Sequence, residues 1–193
     1  MMWWESAGLS MVLIAAAEIG DKTQLVCMTL AARHGRAMPV IYGAVAAFSI
    51  LNGAAVLFGT ALTAWLPQTW VLAAMAVLFA VFGFHSLLHK EDDNDEVNTE
   101  ISGNGLFATT FLMLFVAELG DKTQIAVAGL AGIYPAFSVW VGATVALVLV
   151  SVAGVLAGKT ILRRLPMVWL HRLAGGLFLG LSGLAVWRLL EMI

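Results

Sequence analysis

The chain has 193 residues, of which 61% are hydrophobic and only 11% charged, with a net charge of −2. Soluble domains carry roughly a quarter charged residues, so this composition excludes a water-soluble globular protein and identifies an integral membrane protein. No Lys/Arg tract is present to serve nucleic acid.

Three apolar blocks precede a polar interval at 90–104 and three follow it. Each is about 20 residues or longer, the length that crosses a ~30 Å hydrocarbon layer. Membrane-spanning helices are therefore predicted over 6–32, 40–63, 69–88, 106–131, 136–159 and 168–189. These six leave no room for a soluble catalytic domain, and an enzyme is not expected.

The first block opens Met1-Met2-Trp3-Trp4-Glu5, without the basic start of a secretory signal, and is too long to be one. It is expected to be retained. It contains Glu18-Ile19-Gly20-Asp21-Lys22-Thr23-Gln24 and the single cysteine, Cys27. Cys27 has no disulfide or thiolate partner and reads as a small buried apolar residue. The second block carries Asn52 and the glycines Gly43, Gly53 and Gly59, which suit close helix packing. His85 in the third reads as packed or interfacial. The interval that follows begins Lys90-Glu91-Asp92-Asp93-Asn94-Asp95-Glu96, a solvated acidic linker. The fourth block repeats the heptapeptide as Glu118-Leu119-Gly120-Asp121-Lys122-Thr123-Gln124. The fifth carries Ser151 with Gly142, Gly154 and Gly158, and the sixth ends near Arg188. Trp3, Trp4, Trp65, Trp70, Trp140 and Trp187 fall mostly near predicted helix ends and read as interfacial anchors.

The likeness of the halves extends beyond the heptapeptide. Gly43-Ala44 answers Gly142-Ala143, Gly59 answers Gly158, Leu66-Pro67 answers Leu165-Pro166, and Leu78-Phe79 answers Leu177-Phe178. The organisation is thus a first three-helix repeat at 1–89, the linker at 90–104 and a second repeat at 105–193. Three spans per unit is odd, so the second unit enters the bilayer from the opposite side. The expected fold is all-α, six transmembrane helices in two inverted three-helix repeats, an architecture common among secondary transporters. With the first helix starting outside, Arg33, Arg36, Lys90, Lys159, Arg163, Arg164 and Arg172 fall on one side and Arg188 on the other. The positive-inside rule then places the linker in the cytoplasm and both termini outside.

Of the twelve acidic residues, Glu91, Asp92, Asp93, Asp95, Glu96 and Glu100 lie in the linker, and Glu5 and Glu191 lie at the ends. The remaining four, Glu18, Asp21, Glu118 and Asp121, all belong to the repeated motif. A charged side chain at mid-bilayer costs at least about 2.5–3.5 kcal/mol, so these four mark an ion, proton or substrate path. On a helix, positions i and i+3 share a face, which would make Glu18 with Asp21 and Glu118 with Asp121 paired carboxylates. Gly20 and Gly120 allow either close helix approach or local unwinding. Thr23, Gln24, Thr123 and Gln124 add neutral oxygens, and an all-oxygen donor set suits hard cations such as Mn²⁺, Ca²⁺ or Mg²⁺. Lys22 and Lys122 are candidate charge partners, each pairing with its own Asp or reaching for an interface. Together the six charged groups sum to −2, which one divalent cation or two protons neutralise. Asn52 and Ser151 either line the path or hydrogen-bond between helices.

The signature Glu-x-Gly-Asp-Lys-Thr, present twice in three-helix repeats, resembles the cation/proton exchanger family long known as uncharacterised protein family 16. Within it, the small size and minimal loops are most similar to bacterial manganese exporters of the MneA type. The resemblance covers essentially the whole chain, and both copies match without departure. It implies that Glu18, Asp21, Glu118 and Asp121 bind the metal, with Thr23, Gln24, Thr123 and Gln124 supporting. It also implies a multi-pass protein of the bacterial inner membrane that exports a divalent cation, Mn²⁺ ahead of Ca²⁺, in exchange for protons. No catalytic residue and no cofactor is expected; the partners are the metal ion, protons and the lipid bilayer. A Ca²⁺/proton antiporter is the nearest alternative, and a cation channel a more distant one.

Overall fold

The computed structural model describes residues 2–19, 21–88, 105–162 and 167–192. The acidic linker, Gly20, Arg163 and Arg164 lie outside the described residues, as do the side chains of Lys22 and Lys159. Eight helices make up the regular structure among the described residues: α1 (Trp3–Glu18), α2 (Lys22–His34), α3 (Ala37–Trp65), α4 (Gln68–Leu88), α5 (Leu106–Glu118), α6 (Lys122–Ile133), α7 (Ala136–Leu162) and α8 (Met167–Leu190).

The continuous helices expected over 6–32 and 106–131 are each broken at the repeated motif. The first block divides into α1 and α2, the fourth into α5 and α6. With 16 and 13 residues, α1 and α2 extend about 24 and 20 Å at 1.5 Å per residue, so neither alone covers a ~30 Å core. By length and composition, α3, α4 and α7 each contain a stretch that can cross a membrane.

Apolar side chains cover the outside as well as the core, and several polar ones lie within. Leu57, Phe58, Val77, Val116, Leu149 and Leu156 face outward, while Ser6, Ser10, Thr110 and Ser182 are buried. Water would penalise that distribution, whereas a hydrocarbon surround does not. Ser10 Oγ turns back on its own helix to the Ser6 carbonyl at 2.8 Å and Thr110 Oγ1 to the Leu106 carbonyl at 2.7 Å, whereas Ser182 Oγ crosses from α8 to the Ala76 carbonyl of α4 at 2.7 Å. This answers their donor requirement without water.

The halves exchange partners. α1 packs on α7 and α5 on α3; α2 packs on α7 and α6 on α3; α4 pairs with α8. Glycines set these approaches. A Cβ on Gly43 would lie 2.8 Å from the Phe107 carbonyl oxygen, and one on Gly142 would strike the Ala7 carbonyl. Gly43 corresponds to Gly142, and Phe107 to Ala7, so the same close crossing is built once from each repeat. In the α4–α8 pair, a Cβ on Gly83 would lie 3.1 Å from the Gly175 carbonyl oxygen and one on Gly175 would lie 3.0 Å from that of Gly83. Trp140 is part of this packing rather than an outward anchor, because its Nε1 donates to the Ser49 carbonyl at 3.0 Å. Trp3, Trp4, Trp65, Trp70 and Trp187 are exposed.

Candidate functional site

Each break is a short turn at the motif. The amide of Asp21 donates to the Glu18 carbonyl at 3.1 Å, and that of Asp121 to the Glu118 carbonyl at 3.2 Å. Ile19 and Leu119 leave the helical region, with ψ of 118° and 110°. Gly120 then takes φ +81°, where a Cβ would meet nothing within 4 Å. Of the two uses open to this glycine, the structure employs unwinding: its left-handed backbone favours a residue without a Cβ. Consequently Glu18 and Asp21 are not two positions on one helical face. Glu18 closes α1 and Asp21 precedes α2, and the same holds for Glu118 and Asp121.

The breaks bring the two motifs together. One carboxylate oxygen from each of Glu18, Glu118 and Asp121 lies within 4.8 Å of the others. A cation about 2.3 Å from three oxygens holds them no more than about 4.6 Å apart, so the cluster is close to ligating size. Glu18 and Glu118 are 1% and 4% exposed. Asp121 stands at the N-cap of α6 yet makes no side-chain capping bond, which leaves its carboxylate to the cluster.

The hydrogen bonds cross between repeats. Thr123 Oγ1 donates to Glu18 Oε1, and Thr23 lies against the Glu118 carboxylate. Lys122 Nζ binds Asp21 Oδ2 at 2.6 Å, so this lysine pairs with the aspartate of the other motif, not with its own and not with an interface. Glu18 Oε2 is buried with no hydrogen-bond partner among the described residues. Such an acceptor carries a desolvation cost that a bound cation or proton relieves.

The glutamines differ. Gln24 Nε2 donates to the Val150 carbonyl at 3.2 Å, whereas Gln124 Oε1 accepts from the Gly120 amide at 3.2 Å and its buried Nε2 has no partner among the described residues. Asn52 Nδ2 donates to Thr144 Oγ1 at 3.1 Å, an α3–α7 tie, and Ser151 lies beside the buried Cys27. Thr144 was not legible as a partner in the sequence, because its counterpart at the 99-residue offset is Val45.

Apolar helices enclosing a buried carboxylate cluster assembled from both halves of the chain are the architecture of a membrane transporter. The family model described as divalent cation/proton antiporter GDT1 matches residues 6–94 and 106–193. The chain belongs to that family, one of transporters rather than enzymes. Among its relatives, a Vibrio cholerae protein named "Putative manganese exporter" is 33% identical over 89% of this chain and 85% of its own length. The GDT1-like protein sll0615 of Synechocystis is 32% identical over 94% of this chain and 95% of its own. GDT1-like protein 3 of Arabidopsis thaliana is 27% identical over 91% of this chain and 68% of its own. No solved structure matches the chain.

Proposed function

We propose that this protein exports Mn²⁺ from the cytoplasm in exchange for protons, across the inner membrane of a bacterium. The observation that carries the reading is the cluster of Glu18, Glu118 and Asp121, with an unpartnered buried oxygen on Glu18. Its donors are oxygen only, which suits Mn²⁺ and Ca²⁺ over copper or zinc. Likeness to the Vibrio cholerae protein favours manganese.

In this reading α1 with α2, and α5 with α6, act as composite spans. Added to α3, α4, α7 and α8 they make six crossings in two inverted repeats, with the site at their interface. The cytoplasmic cation enters between the repeats, is held by Glu18, Glu118 and Asp121, and leaves outward as protons take the vacated carboxylates as a coupled set. Thr123 and Thr23 orient the two glutamates, and the Lys122–Asp21 pair holds a fourth carboxylate beside the site. At ~100 mV inside-negative, moving two charges outward costs about 4.6 kcal/mol, and each proton returned offsets about 2.3 kcal/mol.

The test is flux in proteoliposomes with Mn²⁺, Ca²⁺ and Mg²⁺ offered in parallel under an imposed pH difference. Uphill Mn²⁺ movement that collapses with the pH difference is expected. Faster Ca²⁺ than Mn²⁺ movement would reassign the substrate, and strictly downhill flux would replace exchange with a channel.

A further inference from the structure

The two motifs are identical at their glutamines, but the helices they lean on are not. A Cβ on Gly154 would stand 2.6 Å from Gln24 Cγ and 3.4 Å from its Cδ. Gln24 therefore occupies the space that a side chain on α7 would fill, and from there reaches the Val150 carbonyl at 3.2 Å. Only glycine leaves that seat open.

The equivalent seat for Gln124 is on α3, and the register of α6 against α3 locates it. A Cβ on Gly59 would strike the backbone of Ala128, and one on Gly132 would lie 3.2 Å from Thr63 Cγ2. Successive turns of α6, at 128 and 132, thus meet successive turns of α3, at 59 and 63, with the helices running in parallel. One turn earlier, Gln124 comes opposite residue 55. The 99-residue offset agrees, since position 55 corresponds to 154 and position 51, whose carbonyl would be the acceptor, corresponds to 150. Position 55 is a buried alanine. Its methyl stands where the second seat would be, and Gln124 is not docked: Oε1 accepts from the Gly120 amide, while Nε2 is buried without a partner among the described residues.

We propose that the Gly154/Ala55 difference gives the two glutamines different jobs, with Gln24 a fixed positioning residue that ties α2 to α7 and Gln124 the movable neutral ligand that turns its Oε1 to the cation. The inference rests on the cation-site reading above. Gln124 bridges back to Gly120, the residue whose left-handed backbone breaks the helix, so releasing Oε1 to a cation frees the turn amide at the same moment. Gln24 lacks that freedom of movement, because its Nε2 is held on the Val150 carbonyl of α7 and its stem fills the place of a Gly154 side chain. Duplicated motifs that look interchangeable thereby respond to the cation from one side only.

The experiment measures Mn²⁺ affinity calorimetrically on the purified full chain, alongside the thermal midpoint without metal. Ala55→Gly opens the missing seat, so Gln124 docks on α3 and Mn²⁺ affinity falls by about tenfold, the scale typical of residues supporting a metal site. In a Gln124→Ala background the same Ala55→Gly change leaves affinity unmoved. Gln124→Ala alone lowers affinity with little change in the metal-free midpoint, whereas Gln24→Ala and Gly154→Ala each lower that midpoint and are not additive. An Ala55→Gly loss of equal size with and without Gln124, or an unchanged affinity in the presence of Gln124, overturns the proposal. Should Ala55→Gly not fold, equal affinity losses from Gln24→Ala and Gln124→Ala overturn it. If the unmodified chain binds no Mn²⁺ at all, it is the cation-site reading that fails, and this inference with it.

Discussion

Glu18 and Glu118 are each nearly inaccessible, and each is approached by the threonine of the opposite motif. Changing either to Gln preserves volume and a carbonyl oxygen while removing the charge that both a cation and its replacing protons require. Glu18→Gln and Glu118→Gln are each expected to abolish Mn²⁺ flux in proteoliposomes at normal membrane yield; substantial flux from Glu118→Gln would mean that the halves do not share one site. Gly120 supplies a separate residue-scale prediction, because nothing crowds the place of its Cβ and only its φ of +81° resists a side chain. Gly120→Ala should destabilise by about 1–2 kcal/mol, the cost of a left-handed L-residue. Gly176 in the middle of α8 is equally uncrowded but helical, so Gly176→Ala should be neutral or mildly stabilising. Thermal unfolding of the two variants separates conformational strain from loss of space.

At the scale of elements, the crossings α1–α7 and α3–α5 are the same contact made twice, each with glycine against a carbonyl one residue type cannot avoid. Gly142→Ala forces α1 away from α7 at Ala7, and Gly43→Ala forces α5 away from α3 at Phe107 and Thr110. Each should cost about 1–3 kcal/mol, as overpacking in a dense interior does. Both variants carry a motif helix, α1 or α5, out of register with the opposite half. Their Mn²⁺ flux should therefore fall more than their expression does, measured as flux per unit of protein in the membrane. The long helices α3, α4 and α7 followed from apolar length alone, and their bounds lie within a few residues of the expected spans. The broken ones did not. A lone glycine inside an apolar run is compatible with an unbroken helix, so Gly20 and Gly120 left close approach and unwinding equally open. What separates them is the φ of Gly120, which no periodicity carries.

For the whole molecule, the division of seven basic residues against one predicts a cytoplasmic linker with both termini outside, and Arg188, the exception, stands 5.8 Å over the Tyr134 ring at the α6–α7 turn. A cysteine at Asn94, in a chain whose Cys27 is replaced by Ser, should resist an impermeant thiol reagent in intact cells and react after permeabilisation. Labelling without permeabilisation would reverse the topology. Asp92→Asn with Asp93→Asn removes acidic charge from the linker, outside the described residues, and Mn²⁺ flux should stay close to normal. The sequence by itself determined the membrane class and the likeness of the two halves and singled out the four acids of the repeated motif, since apolar length and the cost of buried charge act locally and can be read residue by residue. The tertiary structure alone decided how those acids are used: that Lys122 pairs with Asp21, Thr123 with Glu18, and that Gln24 is docked while Gln124 is not. These partners lie about a hundred residues apart, and whether they meet depends on where two helices break and how closely glycines let the halves cross, which are properties of packing rather than of any segment.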